Sequence, residues 1–324
     1  MTSHTGRTRI GSESGSAIIA AVPRLGFLAV ASAAVLWAFG GTYARTLIDK
    51  GASPLEITEA RAWVAFLALG TWIWWRSRRR SEGVAREHCP AWIVVLFGLS
   101  IAAANYFYYS AVGSLPVAVA IVIQYTAPAL VVLWLAFADR KPPSRRVVVA
   151  LAAAIAGVAL LSELPDVLSG EGTSLSPRGV ASAIASAFAF ASYIITGERV
   201  EKSAGPVGSL ARGFGVASVL WIVIQTTRGK PETLLDTSLL PGVLLLGVVA
   251  TIIPFSLFLW GLARIGPSRA GIVSTLEPLS AAFLAYVWLE QSLSGIQIAG
   301  AALVVVGIAF VQFERVEVTP VPVD

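Results

Sequence analysis

The chain has 324 residues, of which 56% are hydrophobic and only 13% charged, and its mean hydropathy is +0.75. Soluble domains carry about 25% charged residues, so a water-soluble fold is excluded and lipid is the solvent that suits this composition. The net charge of +5 would suggest nucleic acid in a soluble protein. Here Lys and Arg instead collect in loops on one side of a membrane, and no nucleic-acid partner is expected.

Residues 1–16 are small, polar and rich in Gly and Ser, so 1–24 reads as a disordered cytoplasmic tail. A signal peptide ending at Ala31-Ser32-Ala33 is the competing reading. It loses ground because the apolar run continues to Ala44. Apolar runs then fall near 25–46, 56–75, 92–113, 116–138, 146–163, 178–197, 207–226, 239–262, 267–289 and 294–313. Each is close to the roughly 20 residues that cross hydrocarbon as a helix. A spanning segment must satisfy its own backbone polar groups, which makes these helices, and barrel strands would be about half as long. The expected fold class is an all-α polytopic membrane protein of ten transmembrane helices. Residues 164–177 form an outer linker and 314–324 a second cytoplasmic tail.

With the N-terminus inside, seventeen of the 24 Lys and Arg fall on the cytoplasmic side and four on the outer side, as the positive-inside rule requires. Both termini are then cytoplasmic, in the cytoplasmic (inner) membrane of the cell. Trp72, Trp74, Trp75, Trp92, Trp134 and Trp288 lie near helix ends, where an aromatic belt sits. The single Cys89 excludes an intramolecular disulfide and a thiolate cluster. His4 and His88 both lie outside the apolar runs, so no histidine metal site is expected within the membrane. No Walker-type Gly-rich motif is present, so ATP drive is not encoded, and no cofactor is expected.

Shifted by 150 residues, the chain overlays on itself without a gap from about 105 to 161. Pro128 meets Pro278, Ser144 meets Ser294 and Gly157 meets Gly307. Upstream, Tyr43 meets Tyr193, and Arg61 meets Arg212 after a one-residue slip. The repeats are 25–163 and 178–313, with five helices each. An odd number sends the second copy in from the opposite side, so matching loops should differ in charge. The 139–146 loop carries Arg140, Lys141, Arg145 and Arg146, whereas its counterpart from Leu289 to Ser294 has no Lys or Arg. Two inverted five-helix repeats are a hallmark of secondary transporters, whose site lies near the midplane where the repeats meet.

These features resemble the drug/metabolite transporter superfamily, each half being similar to an EamA domain, over about 25–315. The resemblance rests on Leu36-Trp37-Ala38-Phe39-Gly40, Arg61, Gln124-Tyr125-Thr126-Ala127-Pro128, Thr275-Leu276-Glu277-Pro278-Leu279 and the Leu303 to Gly307 segment. Ala127 stands where the second half has Glu277, so the proline motif is acidic only once. The resemblance implies secondary transport by alternating access, commonly export of amino acids or related metabolites. It leaves open a lipid-linked sugar or nucleotide-sugar carrier or flippase.

Pro128 and Pro278 fall mid-helix, where each removes a backbone hydrogen bond and clashes with the carbonyl four residues back, that of Gln124 or Ser274. Such a helix break is tolerated at mid-membrane when it lines a cavity; the alternative is a packing kink. Glu277 is the deepest acid. An intramembrane carboxylate is by default a functional candidate, as a proton carrier or as a partner for a substrate amine, with a structural hydrogen-bonding role as the plainer option. Arg61 and Arg212 lie about 8–9 Å into their helices and read as interfacial anchors, or as gates exchanging salt bridges with Glu59 or another acid. Helical spacing groups Asn105, Tyr108 and Tyr109, groups Ser182, Ser186 and Tyr193, and groups Trp37, Gly40 and Gly41. Any of these stripes could serve interhelical hydrogen bonding instead. The central-cavity candidates are Trp37, Asn105, Tyr109, Gln124, Tyr193, Ser274 and Glu277.

The expected partners are a small-molecule substrate, the lipid bilayer and, as a candidate coupling ion, the proton. Oligomeric state is not encoded in any pattern of the chain. An intramembrane enzyme is disfavoured, because the apolar runs hold no His and no paired carboxylates for acid–base or nucleophilic chemistry.

Overall fold

The structure is a computed structural model that describes residues 11–78, 88–115, 117–169, 175–228, 236–289 and 292–312. Every regular element among these residues is a helix. In chain order they are α1 (Gly11–Asp49), α2 (Pro54–Ser77), α3 (Ala91–Val112), α4 (Val117–Gln124), α5 (Ala127–Ala138), α6 (Arg145–Leu161), α7 (Leu164–Ser169) and α8 (Pro177–Arg228). Then follow α9 (Leu240–Gly247), a π-helical turn (Val248–Ile252), α10 (Ile253–Ile265), α11 (Pro267–Ser274), α12 (Leu276–Leu289) and α13 (Gly295–Gln312).

Two expectations change. Residues 11–24, expected as part of a disordered tail, are helical and continue into α1. The reason is local: the 17–22 stretch is a run of Ala, Ile and Val, and Pro23 is carried inside the helix. Residues 1–10 and 313–324 lie outside the described residues, and with them part of the first expected tail and all of the second. Part of the expected outer linker forms the short α7.

Among the described residues, six stretches are long and apolar enough to cross a membrane: Pro23–Ile48, Ala91–Val112, Val119–Ala138, Pro177–Thr227, Leu240–Ile265 and Gly295–Gln312. The Pro177–Thr227 stretch has 51 residues, more than twice a single crossing. It is broken at Gly205, where φ is 69° and ψ is 169°. Glycine adopts this backbone at no steric cost, and Pro206 follows it, so α8 consists of two arms, 177–204 and 206–228. Three of the ten expected runs fall outside these six stretches and two share one. α2 carries Glu56, Glu59, Arg61 and Arg76, α6 is short, 267–289 is interrupted at Thr275, and the arms of α8 count as one.

Close approach through small residues holds the bundle, as expected where lipid removes the hydrophobic drive between helices. α6 packs on α13, α3 on α8, and α1 on α10. A Cβ on Gly157 would lie 2.7 Å from the Gly300 carbonyl oxygen and 2.8 Å from Val304. A Cβ on Gly307 would lie 2.7 Å from the Ala150 carbonyl oxygen and 3.1 Å from the Ala154 nitrogen. The two contacts exchange under the 150-residue shift, since 157 becomes 307 while 300 and 304 become 150 and 154. A second pair behaves alike one residue out of register. Gly98 abuts Val216 and Gly213, and Gly247 abuts Val64. The outer surface is apolar, with Leu133, Phe137, Phe188 and Val219 exposed, and Arg78 lies 3.8 Å over the Trp74 ring at one end of α2.

Candidate functional site

Both mid-bundle prolines sit where a helix breaks. α4 ends at Gln124, Tyr125 and Thr126 turn, and α5 starts with Ala127-Pro128. α11 ends at Ser274, Thr275 turns, and α12 carries Glu277-Pro278 in its first turn. The hydrogen bonds at the breaks reach carbonyls other than those of Gln124 and Ser274. The Thr126 hydroxyl donates to the Ile123 carbonyl at 2.6 Å, and the Thr275 hydroxyl donates to the Ile272 carbonyl at 2.6 Å. Thr126 N donates to Ile123 O and Thr275 N to Ile272 O, both at 3.1 Å. Each break is thus a tight turn stitched by a threonine.

Beside these breaks lies a cavity of about 490 Å³, within the size range of small-molecule sites. α1 contributes Trp37, Gly41 and Thr42, α2 contributes Arg61, and α3 contributes Asn105, Tyr108 and Tyr109. Ile121, Gln124 and Tyr125 come from the first break, Phe190 and Tyr193 from α8, Phe255 from α10, and Glu277, Pro278 and Ala281 from the second break. Six of the seven residues expected at a central cavity therefore share one wall: Trp37, Asn105, Tyr109, Gln124, Tyr193 and Glu277.

Ser274 does not line this cavity. It is fully enclosed, and its hydroxyl donates to the Gly271 carbonyl at 2.6 Å, back along its own helix. Pro128 is likewise buried away from the cavity, against Gly271, whereas Pro278 lines it. Of the Ser182, Ser186 and Tyr193 stripe only Tyr193 reaches the cavity. Ser186 donates to the Ala104 carbonyl at 2.9 Å and Ser182 faces Ser110 at 3.4 Å, so these two serve interhelical bonding. Gly40 packs on Ala250 while Trp37 and Gly41 line the cavity.

The Tyr125 hydroxyl donates to Glu277 Oε2 at 2.7 Å and so ties the two broken helices together. Arg61 is both anchor and wall. Its Nε donates to Thr251 Oγ1 at 2.7 Å and its Nη2 to the Ala250 carbonyl at 2.9 Å. These acceptors lie in the π-helical turn, where the wider winding displaces the ordinary hydrogen-bond ladder. No salt bridge joins Arg61 to Glu59, the first acid named for the alternative gating reading. Residues two apart on a helix do not face each other, and buried Glu59 instead accepts a hydrogen bond from Gln225 Nε2. Arg212, the counterpart of Arg61, is exposed.

The remaining wall is aromatic. The Trp37 ring lies 5.1 Å from Phe255 and 6.5 Å from Phe190, and Tyr193 stacks on Phe190 at 6.0 Å. Trp37 Nε1 and the Tyr193 hydroxyl are buried without a hydrogen-bond partner. Phe190, Phe255 and the π-helical turn were not singled out from sequence. Pro254 beside Phe255 marks the irregularity, but no hydropathy pattern distinguishes a π turn from continuous helix.

The profile of the EamA-like transporter family matches residues 24–163 and 177–313. The chain belongs to that family. It is 29% identical over 265 residues to the threonine/homoserine exporter RhtA of Salmonella typhimurium (strain SL1344), covering 80% of this chain and 81% of that protein. The Escherichia coli (strain K12) protein of the same name is 27% identical over the same length. An uncharacterized inner membrane transporter, YicL of Salmonella typhimurium (strain LT2), is 27% identical, covering 83% of this chain and 89% of its own. One solved crystal structure superposes with a TM-score of 0.69 at 24% identity, over 90% of this chain and 98% of that one, which supports the fold. The family and these relatives are membrane transporters, and the cavity is the feature of this chain that suits a small solute.

Proposed function

We propose that this protein is a secondary transporter that exports a small amino acid or related metabolite across the cytoplasmic membrane by alternating access. The observation that carries the reading is the cavity of about 490 Å³, set between two proline-broken helices and bounded by residues from both parts of the chain. Broken helices around a mid-membrane cavity are the usual construction of such sites. The relatives named for threonine and homoserine export supply the substrate class.

In this reading 25–163 and 178–313 are inverted five-helix repeats with both termini in the cytoplasm. The exchanging glycine contacts at Gly157 and Gly307 support the repeat, and the charge bias of the loops supports the orientation. The cavity then reaches from mid-bundle toward the outer ends of α1 and α3, at Ile48 and Val112. Protons are the proposed coupling ion, with Glu277 as the group to carry them.

Counterflow of radiolabelled threonine in proteoliposomes tests the function. Accumulation that saturates and is competed by homoserine is expected, and accumulation no faster than in empty vesicles would overturn it. Reporter fusions at Met1 and Asp324 test the topology. Both should report the cytoplasm, and a reporter active outside at either end would dissolve the ten-helix inverted arrangement.

A further inference from the structure

The cavity wall carries two opposite charges and keeps them apart. Arg61 enters from α2 and Glu277 from α12, and among the described residues no ion pair joins them. Arg61 uses its Nε and one Nη2 hydrogen on the π-helical turn, which leaves three of its five N–H donors. Glu277 receives one hydrogen bond, from Tyr125 at Oε2, and a carboxylate has about four acceptor positions. Each charge is thus held in place by the protein, within electrostatic reach of the other but without direct contact to it.

An isolated charge at membrane depth is costly, and such residues pair with each other or face water. A solute bearing one charge would relieve one of these two groups and strip water from the other. A solute bearing both would relieve each at once. The rest of the wall supplies no third charge. It is aromatic or neutral, from Trp37, Phe190, Tyr193 and Phe255.

We propose, resting on the transporter reading above, that the cavity recognises a zwitterion across these two groups. The carboxylate lies on the Arg61 guanidinium, with Asn105 beside it on the cavity wall. The ammonium lies on Glu277 and the Tyr125 hydroxyl oxygen, with the Tyr108 ring close by on α3. A neutral side chain occupies the aromatic wall. Amino acids with a charged side chain are poor ligands, because that charge would meet aromatic rings without a counter-ion.

The test is equilibrium dialysis of radiolabelled threonine with the purified full-length protein, run alongside the counterflow assay. Two competitors separate the poles. Threonine methyl ester keeps the ammonium and loses the carboxylate; 2,3-dihydroxybutyrate keeps the carboxylate and carries a hydroxyl in place of the amine. Each should need at least about tenfold more than threonine to compete, a difference of one well-made charged contact. Arg61→Gln should erase the preference for threonine over the ester, and Glu277→Gln should erase the preference over the hydroxy acid. A misfolded variant loses all binding and cannot produce this crossed pattern. Arg61→Lys, which keeps the charge, should retain part of the preference. Competition by either analogue equal to threonine in the wild-type protein overturns the zwitterion site while counterflow continues. Threonine binding with the crossed pattern but no counterflow supports the site and removes the transporter reading. No threonine binding at all overturns the site.

Discussion

Positions 150 residues apart in this chain have nearly the same kinds of residue and opposite surroundings. Gln124 and Tyr125 line the cavity, while Ser274 and Thr275 are 0% exposed. Tyr108, Tyr109 and Val112 line it, while Phe258, Leu259 and Leu262 are 0% exposed. Ala281 faces the cavity and Val131 is enclosed. Arg61 is bonded to the π-helical turn, while Arg212 is exposed. The close contacts at Gly157 and Gly307, in contrast, are alike in both parts. The molecule thus divides into a scaffold that obeys the 150-residue correspondence and a cavity that violates it. In the proposed mechanism the violating set is what changes between states: Ser274, Thr275, Leu259 and Leu262 would line the path on the opposite side when the present cavity closes.

The largest effect is expected at the position where the two parts differ in chemistry as well as in surroundings. Glu277→Gln should lower gradient-driven threonine flux at least about tenfold, the cost of losing one charge-assisted contact, with expression preserved. Adding Ala127→Glu to that variant should not restore flux, because Ala127 is 0% exposed and its new carboxylate would have no access to the cavity. Recovery of flux in the double variant would mean that the two proline motifs are interchangeable, and the comparison would break at its centre.

A smaller effect should appear in the accessibility of cysteines placed at counterpart positions. In a Cys89→Ser background, Gln124→Cys should react with a membrane-impermeant maleimide added to the outer face at least about tenfold faster than Ser274→Cys, since thiol chemistry follows exposure. Added threonine should slow the first by occupying the cavity. Ser274→Cys reacting as fast as Gln124→Cys from the same side would place both on one path and remove the case for two states.

The cavity residues were partly legible in the sequence, whereas the contrast with their counterparts was not, and the difference has a physical cause. Two prolines 150 residues apart announced two broken helices, and Glu277, Gln124, Asn105 and Tyr109 were legible because polar groups within an apolar run must find polar company or a cavity. The helical-face grouping of Asn105, Tyr108 and Tyr109 also appears as one wall. Ser274 is enclosed in this conformation, because sequence cannot tell which of two matching breaks is open in a given state. The pattern is symmetric and the conformation is not. The tie from Arg61 to Thr251 and Ala250 was invisible for another reason: it depends on a π-helical turn that no periodicity announces. The helical start at Gly11 was missed because Gly and Ser composition outweighed the short apolar run that follows it.

The smallest expected contrast is a near-zero one, and it tests the scaffold. In both Gly157 and Gly307 a new methyl group would meet a backbone carbonyl oxygen at 2.7 Å, and backbone cannot swing aside as a side-chain tip can. Gly157→Ala and Gly307→Ala should therefore each separate α6 from α13 and each destabilise by about 1–3 kcal/mol, the usual cost of overpacking. The two values should agree within about 0.5 kcal/mol, because each contact is the 150-residue image of the other. Gly70→Ala is the control. It meets nothing within 4 Å in the interior of α2, so removing backbone freedom should stabilise by about 0.5–1 kcal/mol. Thermal unfolding in detergent measures all three. A severe loss in Gly157→Ala beside a neutral Gly307→Ala would show that the two contacts carry unequal loads, and the correspondence would then hold for sequence but not for packing. Equal losses in both, with flux per folded molecule unchanged, would place α6 and α13 in the part of the bundle that stays fixed while the cavity changes sides.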